Sequence, residues 1–260
     1  MAFFLCFFIF FLASSASASN ECVHQSKATY FSKESSFPHG ACGYGSLALN
    51  LTNGQLAGAV PSLFKNGVGC GACFQVRCNN TSLCTKEGTR VVVTDLNHNS
   101  QTDFVLSSQA FKAMAKKDLD KEILKRSIVD IEYKRIPCDY KTHNLSVRVE
   151  ESSKKPHYLA LTFLYQGGQT EIVSVDIAKV GSSTWSFLTR NHGAVWDTSR
   201  VPEGPLQLRM VVTGGLEGKE IRAKKEVLPN DWKNGVVYDT GVQINDTSLY
   251  SSCNEGEGTW

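Results

Sequence analysis

Six cysteines are gathered with glycine between positions 41 and 138, in ACGYG (41–45), GVGCGACFQVRC (67–78), Cys84 and Cys138, and a seventh stands far away at Cys253. This pattern follows an export signal, and together the two features constrain the fold more than anything else in the chain. Structural zinc sites use two close cysteine pairs a domain-width apart, whereas Cys70, Cys73, Cys78 and Cys84 are unequally spaced in a chain addressed to an oxidising space. The reading is a disulfide framework with no metal and no cofactor. The signal covers 1–18: an apolar run through FFLCFFIFFL, then small residues ending Ala16-Ser17-Ala18, too short to span a bilayer stably. Cys6 leaves with it, so eight cysteines remain in the mature chain, an even number that allows 105 pairings.

Cysteines pause between Cys138 and Cys253, so the first part of the chain is stapled and the second must rest on its own apolar core. The expected organisation is a cross-linked domain over 19–148, a polar linker over 149–157 (VEESSKKPH), a second domain over 158–248 and a tail over 249–260. Net charge is +2, and the lysine doublets at 116–117, 154–155 and 224–225 are scattered, which argues against a nucleic-acid partner. No later run is apolar enough for a membrane span, and the chain is expected to be a monomer. Glycosylation sequons begin at Asn50, Asn79, Asn80, Asn144 and Asn245.

Short strand-like runs cover 28–31, 74–77, 90–95 and 127–135, with Val129, Ile131 and Tyr133 alternating in the last. Between the last two of these runs, SSQAFKAMAKKDLDKEILK carries a serine N-cap, helically spaced Phe111, Met114 and Ala115, and late lysines, which predicts one or two helices. Further on, runs at 158–165 and 171–178 flank Gln166-Gly167-Gly168-Gln169, a hairpin signal. Strand-like runs then continue over 205–212, 220–228 and 235–243. About seven short strands without a long helix predict a β-sandwich.

The ordered series ATYF, GACGYGSL, GCGACFQVRC, VVVTDLN, LSSQAF, IEYKRIPC, YLALTFLYQGG and GAVW resembles the plant expansins along nearly the whole mature chain, nearest to the expansin-like A branch. The resemblance implies a mainly β protein: a six-stranded double-psi β-barrel, related to family-45 glycoside hydrolases, followed by an immunoglobulin-like β-sandwich that binds wall polysaccharide. It also implies the bridges Cys42–Cys70, Cys73–Cys138 and Cys78–Cys84, leaving Cys22 and Cys253 as a pair by subtraction. Its expected partner is cellulose, xyloglucan or a related glucan, in the extracellular wall.

Inverting hydrolysis needs a general acid and a general base, two carboxyls roughly 6.5–9.5 Å apart. Asp95 stands where a strand meets a loop; it reads equally as a cleft carboxylate or as a turn-capping residue. Expansins carry a His-Phe-Asp-Leu strand before the helix, whose aspartate matches the acid of the related hydrolases. Here the segment is Asp103-Phe104-Val105-Leu106, so the acid position is Val105, and Asp103 shares its strand face but is displaced by roughly 6–7 Å. The aspartate expected before GACGYG is absent too, with Phe37-Pro38-His39 in its place. Hydrolysis is therefore expected to be disabled.

Thr29 and Tyr30 match the floor of the expansin cleft, where an aromatic face meets the flat face of a pyranose; Tyr30 also reads as core. In the second domain Tyr158, Tyr165, Trp185 and Trp196 are the candidate aromatics. Alternation places Tyr165 with Leu159, Leu161 and Phe163 and places Tyr158 on the opposite face. Matching family positions single out Tyr165 and Trp196, with Trp185 behind them and Trp232 read as core. Three functions remain: a non-hydrolytic wall protein that binds and loosens glucan, a glycosidase using Asp95 and Asp103, and a lectin without loosening activity.

Overall fold

The computed structural model describes residues 23–31, 40–214, 218–223 and 226–245. The signal segment, Cys22, His39, Cys253 and the tail lie outside the described residues, and with them the pairing of Cys22 with Cys253. Six strands, β1 (His24–Tyr30), β2 (Leu56–Ala59), β3 (Cys73–Cys78), β4 (Thr89–Leu96), β5 (Phe104–Leu106) and β6 (Ile128–Ile136), close into a barrel in the order β1-β5-β2-β4-β3-β6. Alternation explains why: Val129, Ile131 and Tyr133 of β6 point inward, with Ile128 and Asp130 outward. β2 runs parallel to β4 and antiparallel to β5, and its small residues LAGA are buried throughout.

The four short helices of the described chain are α1 (Leu47–Thr52), α2 (Pro61–Phe64), α3 (Ser108–Ala113) and α4 (Asp120–Leu124). The predicted serine cap is present at Ser107, whose hydroxyl accepts the Ala110 N–H at 3.0 Å. The helical run breaks in two near Asp118, which adopts a left-handed φ of 66°. Phe111, Met114 and Ile123 are fully buried in the barrel core. The bridges Cys42–Cys70, Cys73–Cys138 and Cys78–Cys84 are all formed. No helix among the described residues is long and apolar enough to cross a membrane.

The second unit contains β7 (Ser146–Val149), β8 (Leu159–Leu164), β9 (Glu171–Lys179), β10 (Ser186–His192), β11 (Val195–Thr198), β12 (Leu206–Thr213), β13 (Gly218–Arg222) and β14 (Val237–Asp239). β10 serves both layers: 186–188 pair with β9, and after Leu188 the strand pairs with β11, so one layer is β13-β12-β9-β10 and the other β10-β11-β8-β7-β14. Between them lies a core that includes Val147, Leu161, Phe163, Val175, Ile177, Leu208, Met210 and Trp196.

Two expectations are corrected here. The stretch 149–157 is not a linker but the turn joining β7 to β8, two strands paired antiparallel in one layer. Its polarity reflects an exposed turn, and the chain passes between the units earlier, within 137–145. Likewise 166–169 is no hairpin, because β8 and β9 belong to different layers. Left-handed φ values at Tyr165 (57°) and Gly168 (70°) carry the chain across the end of the core, and Gly168 exchanges both backbone hydrogen bonds with Cys138 (2.8 and 3.0 Å).

The two units meet backbone to backbone. The Ala194 amide donates to the Cys42 carbonyl at 3.0 Å, and Gly67 lies directly against Gly193. A Cβ on Gly67 would fall 2.6 Å from the Gly193 nitrogen, and both glycines have positive φ, 93° and 50°. Arg190 clamps the contact, donating to the carbonyls of Gly193 (2.6 Å), Ile172 (2.5 Å) and Gly67 (3.4 Å). Lys65–Glu171 (2.8 Å) and the Arg148 bond to the Gly43 carbonyl (3.3 Å) flank it. Gly193→Ala must therefore lower stability by about 2 kcal/mol or more, from strain at positive φ and the forced separation. Calorimetry should show one cooperative transition resolving into two. Among the bridges, Cys73–Cys138 closes 65 residues of sequence separation and Cys78–Cys84 only 6, so removing the first should cost about 4 kcal/mol and the second about 2 in denaturant titrations.

Candidate functional site

Strand register places Thr29 of β1 opposite Val105 of β5, Val105 opposite Gly58 of β2, and Gly58 opposite Asp95 of β4. These four residues form one transverse row on the outer side of the barrel, since their neighbours Ala28, Phe104 and Leu106 face its interior. Asp95 is its sole carboxylate. One of its oxygens, Oδ1, accepts the amides of Ala41 (2.7 Å) and Leu96 (2.8 Å), so Asp95 does anchor a turn. The turn it anchors, 40–43, closes by the Gly43 amide on the Gly40 carbonyl at 3.0 Å. Gly40 lies against β4, where an added Cβ would fall 2.7 Å from the Thr94 carbonyl oxygen and 3.6 Å from the Asp95 side chain. Thr29 donates its hydroxyl to the Ser127 carbonyl at 2.7 Å.

Asp103 and Tyr30 do not join this row. Asp103 precedes β5 and accepts the Tyr133 hydroxyl at 3.0 Å. Burial first, and then the Asp103 charge, push the Tyr133 phenol far above its ordinary range, so it stays a proton donor to Asp103. Asp103 is two strand spacings across from Asp95, roughly 10 Å, and two residues along, roughly 6–7 Å. Tyr30 falls on the strand face opposite Thr29. Its ring packs 4.9 Å from Phe111, and its hydroxyl donates to the Leu124 carbonyl at 3.2 Å.

The three aromatics singled out for polysaccharide binding in the second unit, Tyr165, Trp185 and Trp196, occupy three different places. Trp196 is interior: it is 4% exposed, stands in the sandwich core and has the Arg190 guanidinium 4.3 Å from its ring centre. The single-layer alternation of β11 turns it inward, so it offers no face to a ligand. Tyr165 leaves the core face because of its left-handed φ, stacking on His143 at 4.3 Å and meeting the Tyr140 edge at 5.5 Å beside the unit junction. It lines an open depression with His143, Asn144 and Gln243. Trp185 lies over Arg209, 4.5 Å away, on the outer face of the β9-β12-β13 layer.

A polar chain that sequence reasoning missed continues the barrel row instead. The His192 ring lies beside Gly43, where a Cβ on Gly43 would sit 3.1 Å from its Nε2. His192 Nδ1 is 2.8 Å from the Asn191 side-chain oxygen, and both the Asn191 amide and the Tyr158 hydroxyl (2.8 Å) donate to Asp197 Oδ2. Burial, then the bond to Asp197, raise the Tyr158 phenol. The result is a polar track from Thr29 through Asp95 and the 40–43 turn to His192, Asp197 and Tyr158. The alternation that set Tyr158 opposite the core was the sequence signal for its far end. No group of metal-binding side chains occurs among the described residues.

Comparison with known proteins agrees with this architecture. The Expansin C-terminal domain family matches residues 145–229, starting where β7 does, and the family described as Lytic transglycolase matches 57–133, within the barrel. Expansin-like A1 of Arabidopsis thaliana is 57% identical over 94% of this chain and 92% of its own length. Expansin-like A3 of rice is 48% identical over 91% of this chain and 87% of its own. The chain belongs to the expansin superfamily, in its expansin-like A branch. The crystal structure of the Clavibacter michiganensis expansin superposes with a TM-score of 0.65 over 86% of this chain and 99% of that one, at 22% identity, and shows the shared fold. A point mutant of that bacterial protein, 20% identical to this chain over the same 86%, was crystallised with cellohexaose at the same TM-score of 0.65.

The position of Trp196 reverses what its replacement should do. Trp196→Ala should cost about 3–5 kcal/mol through the cavity it leaves, while the Arg190 bonds to three backbone carbonyls keep the junction closed. A melting temperature that falls with polysaccharide retention unchanged in the folded fraction is the expected result; thermal melts combined with pull-downs read it.

Proposed function

We propose that this is a secreted wall protein that binds a β-glucan such as cellulose or xyloglucan along the polar track and loosens it without hydrolysis. The observation that carries this reading is the single carboxylate of the barrel row. With Val105 opposite Gly58 and Asp103 held by Tyr133 outside the row, Asp95 can position a sugar but has no acid partner across it among the described residues. This argues against the glycosidase reading with Asp95 and Asp103. Support for a chain crossing both units comes from the 40–43 turn, which Asp95 holds by the Ala41 amide and whose Gly43 lies beside the His192 ring, so that it joins the barrel row to the polar cluster of His192, Asn191, Asp197 and Tyr158. Thr29 remains on this surface, Tyr30 does not, and Tyr165 flanks the junction.

The apolar signal segment, the three disulfides and the family resemblance support export to the wall. Asn50, Asn79, Asn80 and Asn245 are exposed and Asn144 is half-buried; the side-chain amides of Asn79 and Asn144 donate to Gln25 (2.9 Å) and Asp239 (3.1 Å), so Asn50, Asn80 and Asn245 are better placed to carry glycans.

The purified protein should extend tethered wall strips while releasing no reducing sugar, with both measured in one vessel. Asp95→Asn, which keeps an oxygen for the Ala41 amide, should stay folded and lose about tenfold in retention on cellulose. Retention should survive about 1 M salt, where the Debye length is roughly 3 Å, because hydroxyl and ring contacts carry it. Sugar release abolished by Asp95→Asn or Asp103→Asn would restore the glycosidase reading.

A further inference from the structure

The outer face of the β9-β12-β13 layer, joined by the start of β10, carries a second row that the track does not use. Register aligns Phe187 with Asp176, Asp176 with Arg209, and Arg209 with Arg222. Phe187 is 62% exposed, an apolar ring left in solvent on a paired strand. The Trp185 ring, half-buried two residues earlier, rests on the Arg209 guanidinium. That guanidinium is fixed in turn, donating from Nε to Asp176 at 2.8 Å and lying 3.6 Å from Glu220, which also accepts from Arg222 Nε at 2.6 Å. Trp185, Gln207, Arg209 and Arg222 border an open depression of about 840 Å³.

We propose that this face is a second glycan-binding surface, specific for a neutral β-linked glucan chain, and that the protein thereby holds two chains at once. The charge in the row is balanced: the guanidiniums of Arg209 and Arg222 are matched by the carboxylates of Asp176 and Glu220, so the field favours a neutral ligand over an acidic one. The Trp185 ring over Arg209 and the exposed Phe187 ring at the start of β10 present two apolar faces on one side of the layer to an extended pyranose chain. The ion-paired arginines border those rings with planar donors suited to ring hydroxyls, while Gln207, whose amide donates to the Lys179 (3.2 Å) and Ser182 (3.3 Å) carbonyls, adds a side-chain oxygen that can accept one. Arg209 under Trp185 holds that ring in one orientation before any ligand arrives, which lowers the ordering cost of binding. Because Val175, Ile177 and Leu188 of this layer point into the core, its outer row faces away from the layer bearing His192, Asp197 and Tyr158. This surface shares its ligand class with the polar track but none of its residues.

Titration of the full ¹⁵N-labelled chain with cellohexaose tests the proposal by following the Trp185 indole signal, assigned with Trp185→Phe, alongside the amides of 40–43. The Trp185 signal should shift saturably. Phe187→Ala, an exposed change that leaves the fold intact, should weaken that shift about tenfold. Asp95→Asn should diminish the 40–43 response and leave the Trp185 curve in place. Movement at Trp185 without movement at 40–43 would sink the track reading and keep this one. An unmoved Trp185 signal while 40–43 respond would overturn the second surface. A larger shift with oligogalacturonate than with cellohexaose would overturn its neutral specificity. Self-association abolished by Phe187→Ala, with no cellohexaose response at Trp185, would make the face a protein interface and also overturn it.

Discussion

The path from the barrel to the sandwich depends on two β-units touching through bare backbone. Gly67 and Gly193 let the barrel and the sandwich approach so closely that the Ala194 amide reaches the Cys42 carbonyl. Side chains at either position would hold the units apart, and the polar track would be cut where it crosses from the 40–43 turn to His192. Cys42–Cys70 fixes one side of the contact covalently, and Arg190 fixes the other by distributing its donors over three carbonyls from both units. The arginine sits in a restrictive place. Burial draws its guanidinium down to about 10, so it remains charged through neutral pH, with carbonyl dipoles and the Trp196 face replacing water.

Fixing the junction this way leaves the barrel row free to act as a surface. Gly58 and Val105 keep it low between Thr29 and Asp95, and Asp95 spends one oxygen holding the turn that passes the surface to the second unit. The same carboxylate therefore shapes the path and offers a contact along it. That double use fits binding better than catalysis, where a general base needs its lone pairs directed at a water.

Asp103 shows how a single hydrogen bond redirects a residue. On strand geometry alone it belongs to the face of Val105; its place just ahead of β5 and the Tyr133 hydroxyl turn it toward the end of the barrel. Tyr165 is a second instance. A left-handed backbone, tolerated because the chain must leave β8 for the opposite layer, moves its ring from the core to the junction.

The sequence alone determined the disulfide-bound first unit, the β-rich second one, the Ser107 cap and the strands over 90–95 and 127–135. These follow from local signals: cysteine spacing in an exported chain, period-two apolarity and capping chemistry. Through family motifs it also determined the barrel and the three bridges. Tertiary structure decided what depends on partners far apart in the chain. The assignment of β7 to the second unit, the crossing at 166–169, the burial of Trp196 beneath Arg190 and the union of Asp95 with His192 all rest on which strand lies beside which. A tryptophan on a short strand is equally suited to stacking on sugar or filling a core. Alternation gives two faces but not which one the second layer covers, and only the packed sheets supply that.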